Sequence, residues 1–563
     1  MPQHGRTHRN TDGTRRGHQV GRGAVASLSA ACLLAGTLTA CSGGDEDPNG
    51  KLDEQHFGYQ VSGPLLTTNA GSLEGTSTQA HRLSGRLYPG VFVPGPGGEM
   101  IPNTDLISAQ PLPGPQRRVT YTISDNAVFS DGTPVTCTDY LLAFTAGQHP
   151  EIFGSHLPLF DDTESLDCTS GSKTFTVVFK EGRGDRWQDL FGAGTVLPAH
   201  AVARKAGKSI EELNAALQSD DPAQLAPVAQ IWHHGFDFAQ FDPELQVSFG
   251  PYVIESYGAQ GEVNLIANEH YYGDRPAIDH LVIWPGTADS GELYRGGGLK
   301  VADLDDPNPE WFDVNAEDNQ VDISTVVGQL SEMLTFPETG VWAIPENRQA
   351  LSRCLDPRGV AAVSSEHAGV QVPPAPVHVL QQDDPLTSRV EDVAAPFMDV
   401  NIDAASVLSG MEVRVAYPYP NARQAAMVEA MRRSCEPAGV NIVDVTGEGK
   451  TLADLPHLAT NEQGMQFVID GEVDALLRPV DPMKEYPAAA NQGNQVGNLR
   501  AQEHALWEQL PSVPLAAQPR TFAVNRGVGN VVPYTGLAGI GWNMDRWRIM
   551  PQDAIPSSSG GQQ

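Results

Sequence analysis

Apolar and polar positions along this chain follow two rhythms. Met411–Ala416 (MEVRVA) alternates with the period of two expected of a half-buried strand. From Arg423 to Cys435 (RQAAMVEAMRRSC), strong helix formers carry Ala, Met and Val at helical spacing, and Pro437 and Gly439 stop the run. Val440–Val445 (VNIVDV) returns to the strand pattern. Strand, helix and strand at this length predict a βαβ unit, a parallel pair with a right-handed crossover. Asn347–Leu355 reads as another helix, stopped before Asp356-Pro357. The first half is richer in strands. Arg118–Ile123 and Thr174–Phe179 alternate, and Pro251–Ser256 and Glu262–Ile266 flank YGAQG, which predicts a hairpin. Residues 287–322 are rich in Asp, Gly and Pro and are expected to hold a connection between lobes. No internal repeat is evident.

A chain of 563 residues is long for one core and suits two or three lobes. Its net charge of −33 repels phosphate backbones, so nucleic acid is not an expected partner. The first forty residues differ from the rest. Arg6, Arg9, Arg15, Arg16 and Arg22 precede an apolar run from Ala24 to Ala40, which ends in Leu38-Thr39-Ala40-Cys41-Ser42. The run is short for a membrane span and suits a secretion signal. Small residues before Cys41 resemble a bacterial lipobox, which implies cleavage before Cys41 and lipidation of its sulfur; the alternative is a short N-terminal membrane helix with an incidental cysteine. Arg15-Arg16 hints at twin-arginine export, but Gly17-His18-Gln19 departs from that motif, which favours the general route. Residues 41–56 read as a tether and 551–563 as a frayed tail. The expected location is the outer face of the cell membrane. Of the three pairings open to the remaining cysteines, Cys137–Cys168 and Cys354–Cys435 are favoured, because each stays within one expected lobe.

The stretch FSDGTPVTCTDYLLAF (129–144) crowds polar groups as an active site would. A structural reading accounts for all of them. Asp131-Gly132 is a turn pair, Thr136 stands three residues before Asp139 as a helix cap requires, and Tyr140–Phe144 supplies a buried face. The same stretch resembles the F-x-D-G-x-P-V-T-A-x-D signature of the peptide/nickel-type (family 5) solute-binding proteins of ABC importers. Three more segments resemble that family in its order: FGPYVIESYGAQGEVNLIANEHYYGDRPAIDHLVI (249–283), NRQALSRCLDPRGVA (347–361) and LPSVPLAAQPRTFAVN (510–525). TTNAGSLEG (67–75) adds a likeness to actinobacterial lipoproteins of the family, one mycobacterial relative of which is implicated in phosphatidylinositol mannoside and lipoarabinomannan assembly.

The resemblance implies an α/β, two-lobed periplasmic-binding-protein-like fold of type II, in the large cluster with an extra β-rich subdomain. Lobe I would span 57–286, with the subdomain at about 71–199, lobe II 287–512, and a return segment 513–550. It implies a hinged cleft that binds an oligopeptide or other small solute and delivers it to ABC permease subunits; the alternative is a glycolipid-binding scaffold of envelope assembly. A monomer anchored by lipid is expected, without cofactor, metal or enzymatic activity. Asp481, after the strand-like VDALLR, is the best-placed carboxylate for a ligand ammonium. Thr68, Asn69 and Ser72 stand where the family's first loop lines the cleft, and Tyr534 and Trp542 are candidates for stacking on the ligand.

Other motifs read as structure. VTGEGKT (445–451) has Asp444 where a P-loop needs its first glycine, and Arg183-Gly184-Asp185 is a common tripeptide. His233-His234 lack a partner at ligand spacing. Asp303, Asp305 and Asp306 lack the calcium-loop glycine and glutamate and are expected to be a solvated acidic loop. No G-x-S-x-G elbow is present.

Overall fold

The computed structural model describes residues 57–95, 99–313, 315–316, 319–489 and 493–551. The signal, Cys41, the tether and all but the first residue of the tail lie outside them. No helix among the described residues is long and apolar enough to cross a membrane.

One ten-stranded sheet runs through the molecule. Its order is Asn441–Asp444, Glu412–Ala416, Ala475–Val480, Val321–Thr335, Ser512–Asn525, Leu299–Leu304, Gly58–Gln60, His280–Trp284, Val263–Ala267 and Tyr252–Tyr257. The expected βαβ unit is there: Glu412–Ala416 and Asn441–Asp444 pair in parallel, joined by the helix Ala422–Cys435. At the other end, Tyr252–Tyr257 and Val263–Ala267 form the antiparallel hairpin.

Two long antiparallel strands at the centre join the lobes. Val321–Val327 pairs with Pro519–Asn525 and packs into the first lobe, where Phe522 and Val301 share a core. Ser331–Thr335 pairs with Ser512–Ala517 and packs into the second, where Leu334, Val513 and Leu515 share another. Between them the register slips across Val327 and Ser331. Gly328 sits in the slip, and a β-carbon there would stand 2.6 Å from the Gln518 carbonyl oxygen, so the two backbones approach as only glycine allows. The crossing therefore falls inside the strands. The expected boundary at 287 is too early, because Leu299–Leu304 stands in the sheet between Gly58–Gln60 and Ser512–Asn525.

A separate antiparallel sheet in the first lobe is ordered Ile107–Leu112, Arg118–Ile123, Thr174–Phe179, Thr163–Asp167. The helix Cys137–Gln148 covers it: Tyr121 and Tyr140 each lie 4.8 Å from Phe175, ring to ring. The capping box at Thr136 and Asp139 starts that helix. The Asp139 carboxylate accepts from the backbone N–H groups of Thr136 and Ala199, each at 2.8 Å. Cys137 is bonded to Cys168, and Cys354 to Cys435. The second bond ties the end of the helix Pro345–Ser352 to that of Ala422–Cys435.

The acidic stretch at 303–306 differs from expectation. Asp305 and Asp306 are exposed, but Asp303 is still in the strand Leu299–Leu304 and is buried against Arg520 and Arg82.

Candidate functional site

The strand Ala475–Val480 is buried along its whole length in the second lobe. It ends at Asp481, and Pro482 then opens the short helix Pro482–Glu485. Asp481 caps this helix by accepting from the Met483 N–H at 3.1 Å, and Gln381 Nε2 donates to it at 3.0 Å. This turn faces the first lobe across a cavity of about 70 Å³. The second lobe contributes Arg478, Asp481, Lys484 and Glu485. The first lobe contributes His81, His156 and Asp189, with Leu157, Phe160 and Phe191 as the apolar wall, and Leu537 comes from the last segment.

The lobes are in direct contact around this cavity. Glu485 pairs with Arg478 of its own lobe, and both its oxygens lie 3.0 Å from His156 Nε2 of the other. Burial alone would raise the Glu485 carboxyl, but Arg478 and His156 outweigh it and hold it at about 2. The stabilisation from these contacts is therefore present above the ordinary value of 4.5 and is lost as pH falls toward 2. Arg186 of the first lobe donates to the Pro482 carbonyl at 2.7 Å, and to those of Tyr486 and Val379. Elsewhere along the seam, the Leu452 N–H donates to Ser77 Oγ at 2.9 Å, and Tyr419 Oη donates to Asp305 at 2.9 Å. The conformation is closed.

Glu485 has Arg478 as its counter-charge, and Asp189 and Asp481 face Lys484 and Arg186. Burial pushes Asp189 up to about 6, with Lys484 and Arg186 opposing and Asp481 reinforcing. Burial, with Lys484 and Arg82, brings His81 down to about 3, so its ring is neutral at physiological pH.

Of the residues expected from sequence, Asp481 lines this cavity. Thr68, Asn69 and Ser72 do not. All three are fully buried in the first lobe, where Thr68 Oγ1 donates to Gln246 Oε1, Asn69 Nδ2 donates to the Trp232 carbonyl, and Ser72 caps the helix Leu73–Ser77. They shape the loop that presents Ala70 and Thr76 to the cavity. Tyr534 lies behind the carboxylates: burial raises its phenol, with Asp481 and Asp189 adding to the effect. Its ring stands 6.2 Å from that of Trp542, whose Nε1 donates to the Val532 carbonyl. Sequence reasoning missed His81, His156, Asp189 and Lys484. Only Lys484 carried a signal, three residues after Asp481.

The remaining motifs are absorbed by the fold. His233 pairs with Glu74 at 2.8 Å, and Lys450 of VTGEGKT pairs with Glu472 and Asp454. No cluster of metal-ligating side chains occurs among the described residues.

Comparison with known proteins agrees with this architecture. Residues 114–475 match the family model of bacterial extracellular solute-binding proteins, family 5 Middle. The uncharacterized lipoprotein Rv2585c of Mycobacterium tuberculosis is 28% identical over 569 residues, covering 92% of this chain and 96% of the relative. Among solved structures, the oligopeptide-binding protein AppA from Bacillus subtilis, in complex with a nonapeptide, superposes with a TM-score of 0.63 at 13% identity, covering 88% of this chain and 99% of that one. AgaA from A. tumefaciens R10, in complex with agropinic acid, gives 0.62 at 15%, with 88% and 99% covered. The fold is the two-lobed α/β fold of type II periplasmic solute-binding proteins. The chain belongs to the bacterial extracellular solute-binding proteins of family 5, the binding components of ABC importers.

Proposed function

We propose that this protein is a lipoprotein, anchored through Cys41 on the outer face of the membrane, that holds an oligopeptide or similar small solute between its lobes and delivers it to an ABC permease. The observation that carries this reading is the cavity at the lobe seam, with the Asp481 carboxylate on its wall. A solute that prefers the closed form shifts an open–closed equilibrium about the slipped register at Gly328. The ligands named for AppA and AgaA, a nonapeptide and agropinic acid, support an organic solute of this general kind. Asp481 is well suited to orient an ammonium, since its helix cap and Gln381 fix its carboxylate.

Thermal unfolding of the chain from Ser42 onward, with and without a mixture of short peptides, tests the reading. The midpoint is expected to rise with peptide concentration, as it must for a ligand that binds only the folded state. Asp481→Asn is expected to keep the fold, because asparagine also caps helices well, and to lose the shift. An unchanged midpoint at millimolar peptide would overturn the peptide reading and favour the envelope-assembly role.

A further inference from the structure

A small antiparallel ribbon in the second lobe lines none of the cavity. It pairs His457–Thr460 with Gln466–Ile469 and belongs to no larger sheet. His457–Thr460 is the inner strand and packs against the short helix Pro150–Phe153 of the first lobe. The turn of the ribbon reaches the same lobe: a β-carbon on Gly464 would stand 3.6 Å from Pro222 Cγ. Gln466–Ile469 is the outer strand, and every residue in it is exposed. Its outward backbone groups have no protein partner among the described residues.

The side chains shown to solvent here are mostly apolar. Met465 is 60% exposed, Phe467 48% and Val468 49%, and Leu458 and Ile469 are exposed beside them. The register sets Leu458 opposite Val468, so these two share one face, and Phe467 and Ile469 share the other. Exposed edge strands are usually blunted by a lysine, a proline or a bulge. None of these occurs between Leu458 and Ile469. An open edge with apolar side chains on both faces is what strand addition by an extended segment uses.

Backbone chemistry and charge narrow the occupant. A bilayer fits poorly, because an open strand edge in hydrocarbon leaves its N–H and C=O groups unsatisfied. A second copy would bring a like net charge of −33, and one edge of 4 residues offers a dimer little area. A stable interface needs roughly 800 Å² from each partner. No Lys or Arg stands between Thr451 and Leu477. Glu462 and Asp470 flank the outer strand, and neither makes an ion pair among the described residues. The charge that complements this edge is positive.

We propose that Gln466–Ile469 is a strand-addition site, taken by an extended segment of a partner protein that is apolar at its centre and carries Lys or Arg at its ends. The partner backbone continues the ribbon. Its apolar side chains cover Phe467 and Ile469 on one face and Val468 on the other, and its cationic ends meet Glu462 and Asp470. This interaction is independent of what the cleft holds.

The test is a fluorescence-anisotropy titration of the chain from Ser42 onward with a labelled peptide, Lys-Lys-Val-Thr-Val-Tyr-Val-Lys-Lys, blocked at both ends. It is expected to bind at least about tenfold more tightly than the same peptide with Glu for Lys, or with its central backbone nitrogens methylated at alternate positions. Val468→Lys loses that binding, and Val468→Thr, which is also β-branched, retains it; both melt with the parent. Hydrogen exchange at the amides of Gln466–Ile469 slows in the complex. Equal binding of the three peptides, or binding of none, overturns the proposal. Protection around Asp481 instead of Gln466–Ile469 places the peptide in the cleft and overturns it too. Self-association in sedimentation that Val468→Lys abolishes gives the edge to a second copy, and flotation with phosphatidylglycerol–phosphatidylethanolamine vesicles that the same change abolishes gives it to the bilayer; either result overturns the partner segment.

Discussion

Asparagine in place of Asp303 is expected to destabilise the protein by about 3–5 kcal/mol, the range for breaking a buried ion pair from one side. Asp303 is 2% exposed and stands between two arginines that are equally shut off from water. Arg520 donates to it through Nε at 3.2 Å and again through Nη2, and Arg82 Nε lies 3.8 Å away. The arginines have other partners, but these are neutral. Arg520 also reaches the carbonyls of Thr535 and Gly536, and Arg82 reaches Ser62 and Gln79. Removal of the carboxylate leaves two guanidinium charges in the first lobe with no anion in contact. The site joins three distant segments: the loop–helix region around Arg82, the strand Leu299–Leu304 and the returning strand Ser512–Asn525. Urea denaturation should show a lower midpoint at unchanged slope. Asp306→Asn, three residues on and exposed, should stay within about 0.5 kcal/mol of the parent. Equal effects at the two positions would show that Asp303 is solvated after all.

Glu485→Gln is expected to act on conformation as much as on stability. Arg478 is 2% exposed at its side chain, its Nε has no partner, and Glu485 supplies its counter-charge. With that charge gone, the closed form holds an uncompensated arginine, a cost again of about 3–5 kcal/mol while the cleft stays shut. Opening relieves it by admitting water to the cavity. The same substitution weakens the contact with His156 across the seam. Solution scattering should therefore give a larger radius of gyration for the variant, and ligand affinity should fall by the closure energy lost. An unchanged radius together with unchanged affinity would mean that this pair does not help to hold the lobes closed.

The local architecture was legible because its signals are local. A period of two at Met411–Ala416 and a helical run ending at Pro437 and Gly439 locate the βαβ unit to within a residue or two. The polar crowd at 129–144 resolves into a cap because Thr136 and Asp139 are three residues apart. The lobe crossing was hidden because it is a slip in pairing register inside two continuous strands, and pairing register depends on the partner. Asp303 was misjudged for a related reason. LKVADL continues as a strand into an acidic sequence, and only the distant Arg82 and Arg520 make its burial tolerable. At the candidate site, Asp481 could be found from its place after a strand. His81, His156 and Asp189 are brought to it by tertiary packing, with no spacing in the chain to announce them. Thr68, Asn69 and Ser72 show the converse: small polar residues in a loop beside a cleft used their hydrogen bonds inward, on the lobe itself.

Mass spectrometry of what accompanies the protein through purification tests the central claim most directly. The chain from Ser42 onward would be measured intact under native conditions and again after denaturation. A solute enclosed between the lobes predicts one or more small zwitterionic molecules, short peptides above all, retained in the native measurement and released on unfolding. A mannosylated lipid in their place, or an empty protein even after incubation with a peptide mixture, would contradict it.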